Sequence, residues 1–258
     1  MGGADPARLA ATVLDLLSDE ALTARELATR LVERGIGDDV EAIGNAARVY
    51  VPLVQVPPRG VWGAGGQAKY LPLETWTGAK LEKRPAIDDV VLRYLRSFGP
   101  ASVLDFQSWS GLTKLKELFE RLRPRLETFR DETGRELFDL PDAPRPDPET
   151  PAPVRFLGEY DNVLLGHADR RRIIPEDFPW AAMLAPGRFV NNLLVDGTLR
   201  ATWWIERDGK RRATLAIRPF RRFSRAERAE VSVEAERMVD FAAAEAEKRD
   251  VRIEPALD

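Results

Sequence analysis

The first 140 residues contain the same order of segments twice: three helical patterns, then two short β patterns around a glycine-containing turn. Three helices followed by a β-hairpin, called the wing, make up the winged helix-turn-helix fold. A single pattern of this kind arises easily by chance, whereas two in series strongly restrict the architecture. The sequence therefore predicts two tandem winged-helix modules, at residues 1–82 and 83–140.

The first copy opens with an apolar face at helical spacing over residues 7–17. Thr23 and Glu26 predict a capping box for a second helix, which ends at a glycine. A third helix is predicted over 38–50, followed by strands at 53–56 and 68–73 that enclose the wing. The side chains predicted to face the core are Leu9, Val13, Leu16, Leu17, Leu27, Leu31, Val40, Ile43, Ala47 and Val49.

The second copy predicts a helix over Ile87–Phe98, which Gly99 and Pro100 interrupt. Ser102 is predicted to cap the next helix, with Asp105 supporting its first turn. Phe106 and Trp109 are predicted to pack inward, and Gly111 is predicted to make the turn that follows. A third helix, rich in cations, is predicted over 112–122. A hairpin over 126–140, with Thr133 and Gly134 in its turn, completes the module.

The remainder of the chain changes character. Residues 141–153 are rich in proline and acid, which predicts a linker, and residues 154–258 read as a β-rich domain. Strands over 189–197, 198–209 and 210–220 predict a meander or small antiparallel β-barrel, and Ser224 starts a final helix reaching about Lys248. The predicted class is α+β: two tandem winged helix-turn-helix modules, then a small antiparallel β-barrel or sheet domain with a C-terminal helix.

Composition excludes several classes of site. The 258 residues include no cysteine and one histidine, so disulfides and thiolate metal sites are ruled out and a zinc site is disfavoured. No apolar run approaches the roughly 20 residues that cross a bilayer. We expect no metal, no cofactor, no membrane association and a cytoplasmic location.

Charge is unevenly distributed along the chain. The net charge is −3, yet residues 114–130 hold six basic against three acidic residues, and residues 200–222 hold eight against two. Local basic surfaces on an acidic body are compatible with DNA contact, and equally with ordinary solvated faces. Charge alone leaves both interpretations open.

The cations of the second module are the main candidates for DNA contact, because the third helix of a winged helix enters the major groove. The third helix of the first module begins with two aspartates, so that module is predicted to pack, or to reach DNA only through its wing. Alternatively, both modules are spacers between domains. The candidate DNA-binding residues are Arg48, Arg59, Lys69, Lys114, Lys116, Arg121, Arg123, Arg170, Arg211 and Arg212.

A cluster of acidic, imidazole and guanidinium groups lies between Glu159 and Arg170. Such groups can stabilise a positively charged sugar intermediate or hold a phosphate, which makes Asp161 and His167 candidate catalytic residues. The alternative is that these two side chains fix the junction between the linker and the β-rich domain through hydrogen bonds.

Three segments, LVQVPPRGVWGAGGQAKY (53–70), FGPASVLDFQSWSGL (98–112) and FLGEYDNVLLGHADR (156–170), resemble those of the winged-helix proteins related to AlkZ and YcaQ. Those relatives are bacterial DNA glycosylases that remove alkylated bases, including crosslinked ones. The resemblance implies tandem winged helices and a C-terminal β-barrel around duplex DNA that is alkylated or crosslinked.

One departure from the family bears on activity. The family's catalytic Gln-x-Gln or Gln-x-Asp motif, in an N-terminal winged helix, has no counterpart in this sequence. We therefore expect duplex DNA binding in repair or damage recognition with little excision by these residues alone. The alternatives are a non-enzymatic winged-helix transcription regulator or interaction scaffold, and a glycosylase whose N-terminal part is missing from this chain.

Overall fold

The computed structural model describes residues 5–82, 85–176, 178 and 191–257. Two compact units divide the chain, Met1–Pro85 and Ala86–Asp258. Each is described separately below. Within the described residues, every helix is too short or too polar to cross a lipid bilayer.

The first unit contains the three predicted helices and two predicted strands in the predicted order, together with a two-residue strand and a short helix that were not predicted. The capping box at Thr23 is confirmed: its hydroxyl accepts from the Glu26 backbone, and the Glu26 carboxylate accepts from the Thr23 backbone. The elements are α1 (Pro6–Leu16), β1 (Leu22–Thr23), α2 (Ala24–Glu33), α3 (Val40–Tyr50), β2 (Leu53–Val56), β3 (Lys69–Pro72) and α4 (Leu73–Thr77). Strands β1, β3 and β2 pair antiparallel in that order.

The core of the first unit contains most of the predicted side chains, including Leu9, Val13 and Leu31. Two predictions on α3 are wrong, because Val40 and Val49 are 38% and 78% exposed. The buried residues of α3, Ile43, Gly44 and Ala47, show which side of the helix faces the core. Val49 follows buried Ala47 by two residues, which is about 200° around the helix and thus on the opposite side.

The second unit begins with helices α5 (Ile87–Phe98), α6 (Val103–Ser110) and α7 (Lys116–Leu122), the last continued by a 3₁₀ turn. The α5 bounds and the cap at Ser102 are confirmed, and Asp105 completes a capping box there. Helix α6 ends at Gly111, whose φ of 71° lies in the left-handed region that glycine favours. The third helix is shorter than the predicted 112–122, because Lys114 adopts a φ of 58° that no α-helix accommodates.

A hairpin and an aromatic core complete this part of the second unit. Strands β4 (Glu127–Arg130) and β5 (Glu136–Asp139) pair antiparallel, as predicted, with Gly134 in the turn. The rings of Tyr94, Phe106, Phe119 and Phe138 contact one another in series, with centroids 5.1–5.8 Å apart. Trp109, predicted inside, contacts the rings of Tyr94 and Phe106 but is 38% exposed.

The β-rich part of the second unit is an open sheet, and the predicted barrel is wrong. Its strands are β6 (Arg155–Leu157), β7 (Asn191–Val195), β8 (Thr198–Asp208), β9 (Arg212–Pro219) and β10 (Lys248–Ile253). In the described part of the chain the strand order is β10-β9-β8-β7-β6, with no pairing that joins the two outer strands. All neighbours are antiparallel except β9 and β10, which are parallel. Phe189 and Val190, predicted to start the β7 strand, lie outside the described residues.

Two helices accompany the sheet, α8 (Asn162–Leu165) and α9 (Arg225–Ala242). Helix α9 is capped by Ser224 as predicted, and its buried Val231 and Val239 join a core with sheet residues such as Trp203. The prediction that it continues to Lys248 is wrong. A turn after Ala242 reverses the chain, so that β10 can pair with β9.

Candidate nucleic-acid interface

Helix α3 of the first unit exposes a surface with little positive charge. Its N-cap, Asp39, accepts hydrogen bonds at 3.0 Å from two backbone amides of the first turn. Arg48 is exposed and donates to the side chain of Asn45. Beside it, Val49 and Tyr50 are 78% and 50% exposed. This face offers a phosphate one candidate cation, Arg48, next to an apolar surface.

The loop between β2 and β3, which the sequence predicts to be a wing, and the start of β3 carry the two other candidate cations of the first unit. Arg59 is exposed in the turn before Gly60, and Lys69 is exposed at the first position of β3. The capping hydrogen bonds of Thr23 hold the pKa of Glu26 below its ordinary value, and the nearby Lys69 charge contributes a smaller part of that shift. Lys69 therefore lies near the start of α2, where it pairs with Thr23 in the sheet.

The four candidate cations around α7 fall into two kinds. Lys114 and Lys116 are exposed, just before and at the first residue of the helix. Arg121 donates to Asp88 on α5 at 2.6 Å, which raises the pKa of Arg121 and lowers that of Asp88. Both of those side chains are partly exposed, so solvent screens the ion pair.

Arg123 is the most heavily engaged of the four. It makes a bidentate contact with Glu136 on β5, with both distances 3.0 Å, and a second ion pair with Glu120 at 2.8 Å. Its guanidinium lies 5.1 Å from the ring centre of buried Phe138. These contacts raise the pKa of Arg123, with the Glu120 hydrogen bond as the largest cause. Arg123 therefore fastens α7 to the hairpin.

The turn between β8 and β9 holds the candidates Arg211 and Arg212. Arg211 is 79% exposed and pairs with Asp208 across the turn. Arg212 contacts Asp250 of β10 at 3.0 Å and is 52% exposed. Both guanidinium groups thus lie at one end of the sheet, each with an acidic neighbour.

Sequence reasoning missed a further group of cations at the start of α9. Arg222, Arg225 and Arg228 line an open pocket of about 850 Å³ together with Pro219 and Phe223. Four arginines within the short run RRFSRAER were a visible signal for this surface.

The buried carboxylate of Asp105, on α6, connects this helix to the segment between residues 159 and 170. Asp105 is fully buried, and its Oδ1 accepts from the backbone amides of Ala168 and Asp169 at 2.9 and 3.2 Å. Its Oδ2 accepts from the amide and hydroxyl of Ser102 at 2.8 and 2.7 Å. Burial raises the pKa of Asp105, but these hydrogen bonds outweigh it and hold the pKa below its ordinary value.

We call residues 166–172 the junction loop. Its His167 donates from Nε2 to the carbonyl oxygen of Phe98 at 2.8 Å, and Tyr94 donates to the Gly166 carbonyl at 2.7 Å. A Cβ on Gly166 would lie 2.7 Å from the Phe98 ring, so glycine permits this close approach. Arg172 donates to the Pro100 carbonyl at 3.0 Å. The loop therefore packs on the end of α5.

The two candidate catalytic residues both make structural contacts. Asp161 is the N-cap of α8 and accepts from the Val163 amide at 2.9 Å. His167 is half-buried, and burial, with a smaller contribution from Arg172, lowers its pKa below 6.5. Arg170 is exposed at the outer side of the loop. The structure brings these three residues into one segment, but orients His167 towards a backbone carbonyl.

Asp169 adds a second connection from the junction loop. It contacts Arg135 at the β4–β5 turn at 2.8 Å and Arg171 at 2.6 Å. The Arg171 hydrogen bond is the largest reason that the pKa of Asp169 lies well below its ordinary value. Among the residues described, no group of three or more histidine, cysteine, aspartate or glutamate side chains could hold a metal ion.

Comparisons with known proteins agree with this architecture. The family model described as DNA glycosylase AlkZ-like matches residues 1–241. The solved structure of Streptomyces sahachiroi DNA glycosylase AlkZ is similar, with a TM-score of 0.65 and 23% sequence identity. That match covers 96% of this chain and 69% of the AlkZ chain, and at this identity it shows the fold alone. No curated protein sequence matches the chain.

Proposed function

Because the chain belongs to the family of AlkZ-like DNA glycosylases, we propose that it binds duplex DNA and takes part in DNA repair. Residues 1–82 and 83–140 then act as two winged-helix modules, residues 141–153 as a linker, and residues 154–258 as a β-rich domain. The substrate is duplex DNA carrying an alkylated or crosslinked base. The family match over residues 1–241 is the observation that carries this proposal.

The surface around α7 is proposed to contact the DNA backbone. Lys114 and Lys116 are exposed at the start of the helix, where ammonium groups can reach phosphates. Arg121 is held by an exposed ion pair, and exposed pairs contribute only about 0–1 kcal/mol to stability. The free-energy cost is therefore small when Arg121 leaves Asp88 to contact a phosphate. Arg123 is the weakest of the four candidates, because Glu120, Glu136 and the Phe138 ring already surround it.

The first module is proposed to reach DNA through its wing. Its third helix has acidic residues at the N-terminus, which repel phosphate, and exposes Val49 and Tyr50. That apolar surface is the observation that supports a second candidate function, an interaction scaffold or transcription regulator in which α3 contacts protein. Arg48, Arg59 and Lys69 remain candidate DNA contacts of this module, and a cytoplasmic location remains a prediction.

An excision assay on duplexes containing 7-methylguanine tests the repair activity. Abasic sites are revealed by alkaline cleavage and a gel, with undamaged duplex as the control. We expect little cleavage by these 258 residues, since the resemblance assigns water positioning to a Gln-x-Gln motif that they lack. Robust turnover that Asp161→Asn or His167→Ala abolishes would overturn this expectation. It would place the chemistry in the segment 159–170.

A further inference from the structure

The wing of the first unit has an aromatic side chain at an exposed tip. Strands β2 and β3 end their pairing at Val56 and Lys69, so residues 57–68 extend beyond the sheet. Within this loop Trp62 is 71% exposed and Val61 is 51% exposed. Val61 and Trp62 are adjacent, so the exposed apolar surface of the tip is continuous, and a continuous exposed apolar surface can mark a contact site. The tip is therefore a candidate contact surface.

The backbone of the tip is ordered by two successive turns. The Val61 amide donates to the Pro58 carbonyl and the Ala64 amide donates to the Val61 carbonyl, each at 3.1 Å. Gly60 and Gly63 have φ values of 87° and 72°, and a Cβ on either would meet nothing within 4 Å. Glycine thus permits the two turns that hold Trp62 at the tip, where the side chain is 71% exposed.

The charge around the tip selects the class of ligand. Along the sequence, no acidic residue occurs between Val51 and Glu74, and Arg59 and Lys69 flank the tryptophan. Arg59 is the cation nearer to Trp62 in the loop, whereas Lys69 lies at its base, near Glu26. A partner that fits both features has negative charges next to flat aromatic faces. Nucleic acid has both, since its bases stack on aromatic side chains and its phosphates attract cations. An apolar protein surface could cover the tryptophan, but it offers no negative charge to Arg59 and Lys69.

We propose that Trp62 stacks on an unstacked base of damaged duplex DNA, while Arg59 contacts the adjacent phosphate. This inference rests on the proposed function, because it assumes that the chain binds duplex DNA. Aromatic and apolar side chains that enter between bases stabilise a distorted duplex over a regular one. The wing then recognises the distortion that a lesion causes, and the cations around α7 hold the regular backbone.

Fluorescent duplexes with 2-aminopurine in a single-base bulge, or in a fully paired site, test this role. The full chain is compared with Trp62→Ala, Trp62→Phe and, as a matched control, Trp76→Ala, which removes a tryptophan that is 52% exposed in α4. We expect the chain to quench 2-aminopurine in the bulge by stacking. Trp62→Ala should lose this quenching and bind the bulged duplex roughly 5- to 150-fold more weakly. Trp62→Phe should keep most of both, and Trp76→Ala should match the unmodified chain.

The outcomes separate the two proposals. If Trp62→Ala binds the bulged duplex as tightly as the unmodified chain and quenches 2-aminopurine to the same extent, the role of Trp62 is contradicted. The proposed function would stay intact. Equal losses for Trp62→Ala and Trp76→Ala would also contradict it. An unmodified chain that binds neither duplex would overturn the proposed function and this inference with it, and would favour a protein partner for the tip.

Discussion

Single side chains account for the attachment of the junction loop to α5 and α6. Asp105 is buried with four hydrogen bonds to its carboxylate, and His167 is half-buried with one hydrogen bond to Phe98. The position of His167 favours the structural interpretation of the cluster between residues 159 and 170. A catalytic role for Asp161 or His167 remains a prediction that the excision assay addresses.

His167 predicts a pH dependence of stability. Burial holds its folded pKa below 6.5, so below pH 6.5 the unfolded chain binds this proton more readily than the folded chain. The free energy of unfolding should therefore be constant above pH 7 and fall as the pH drops below 6.5. One proton limits the slope to about 1.4 kcal/mol per pH unit. Urea unfolding at pH 7.5 and 5.5 measures it.

His167→Gln is the matched variant for this experiment, because its amide nitrogen can replace Nε2 as the donor to Phe98. His167 is the one histidine of the sequence, so the variant should lose the fall in the free energy of unfolding between pH 7.5 and 5.5. A fall of equal size in the variant would assign the pH dependence to carboxylates. Asp105 and Asp169 titrate lower, since hydrogen bonds hold their folded pKa values below the ordinary range.

At the scale of elements, helix α9 covers one face of the sheet through a narrow apolar stripe. Val231 is fully buried there, whereas Val233, two residues later, is 52% exposed. Val231→Ala should lower the free energy of unfolding by roughly 2 kcal/mol, from lost burial and the cavity left behind. Val233→Ala removes the same atoms and should change it by less than about 0.5 kcal/mol. Urea unfolding of both variants tests the packing, and equal losses would contradict it.

The elements with strong local signals could be predicted from the sequence. The bounds of α5, the capping boxes at Thr23 and Ser102, and the β4–β5 hairpin follow from periodicity and capping chemistry. The strand β10 could not be predicted, because its side chains are mostly charged and only partly buried. Parallel pairing with β9 ends α9 early, although the alanines after Ala242 favour helix locally.

The candidate interface could be predicted only in part. Exposed cations such as Lys114 and Lys116 were evident from composition, but the partners of Arg121 and Arg123 depend on which carboxylates the fold places nearby. Asp88 is 33 residues from Arg121 along the chain, so no local pattern reveals this ion pair. Likewise, the contact of His167 with Phe98 spans 69 residues.

At the scale of the whole molecule, two kinds of surface are proposed to contact DNA. Exposed cations are proposed to hold the phosphate backbone, and the wing tip is proposed to recognise a distorted base. The net charge of −3 does not oppose this assignment, since the phosphates meet local rather than total charge. Cations that neutralise phosphates release counterions from the DNA, so the affinity should depend strongly on salt.

The salt dependence of duplex binding, measured by fluorescence anisotropy, tests the central claim most directly. We expect measurable binding at low salt, with log K falling by about 0.9 per phosphate contact for each unit of log salt. Replacing Lys114, Lys116, Arg121 and Arg123 with alanine should flatten this slope, and Lys114→Ala with Lys116→Ala alone should produce much of the effect. The control variant combines Arg237→Ala with Lys248→Ala. It removes as many positive charges as the variant at Lys114 and Lys116, from sites without a proposed DNA contact, and should leave the slope unchanged. Undetectable binding at low salt, or a slope indifferent to the four substitutions around α7, would contradict the account.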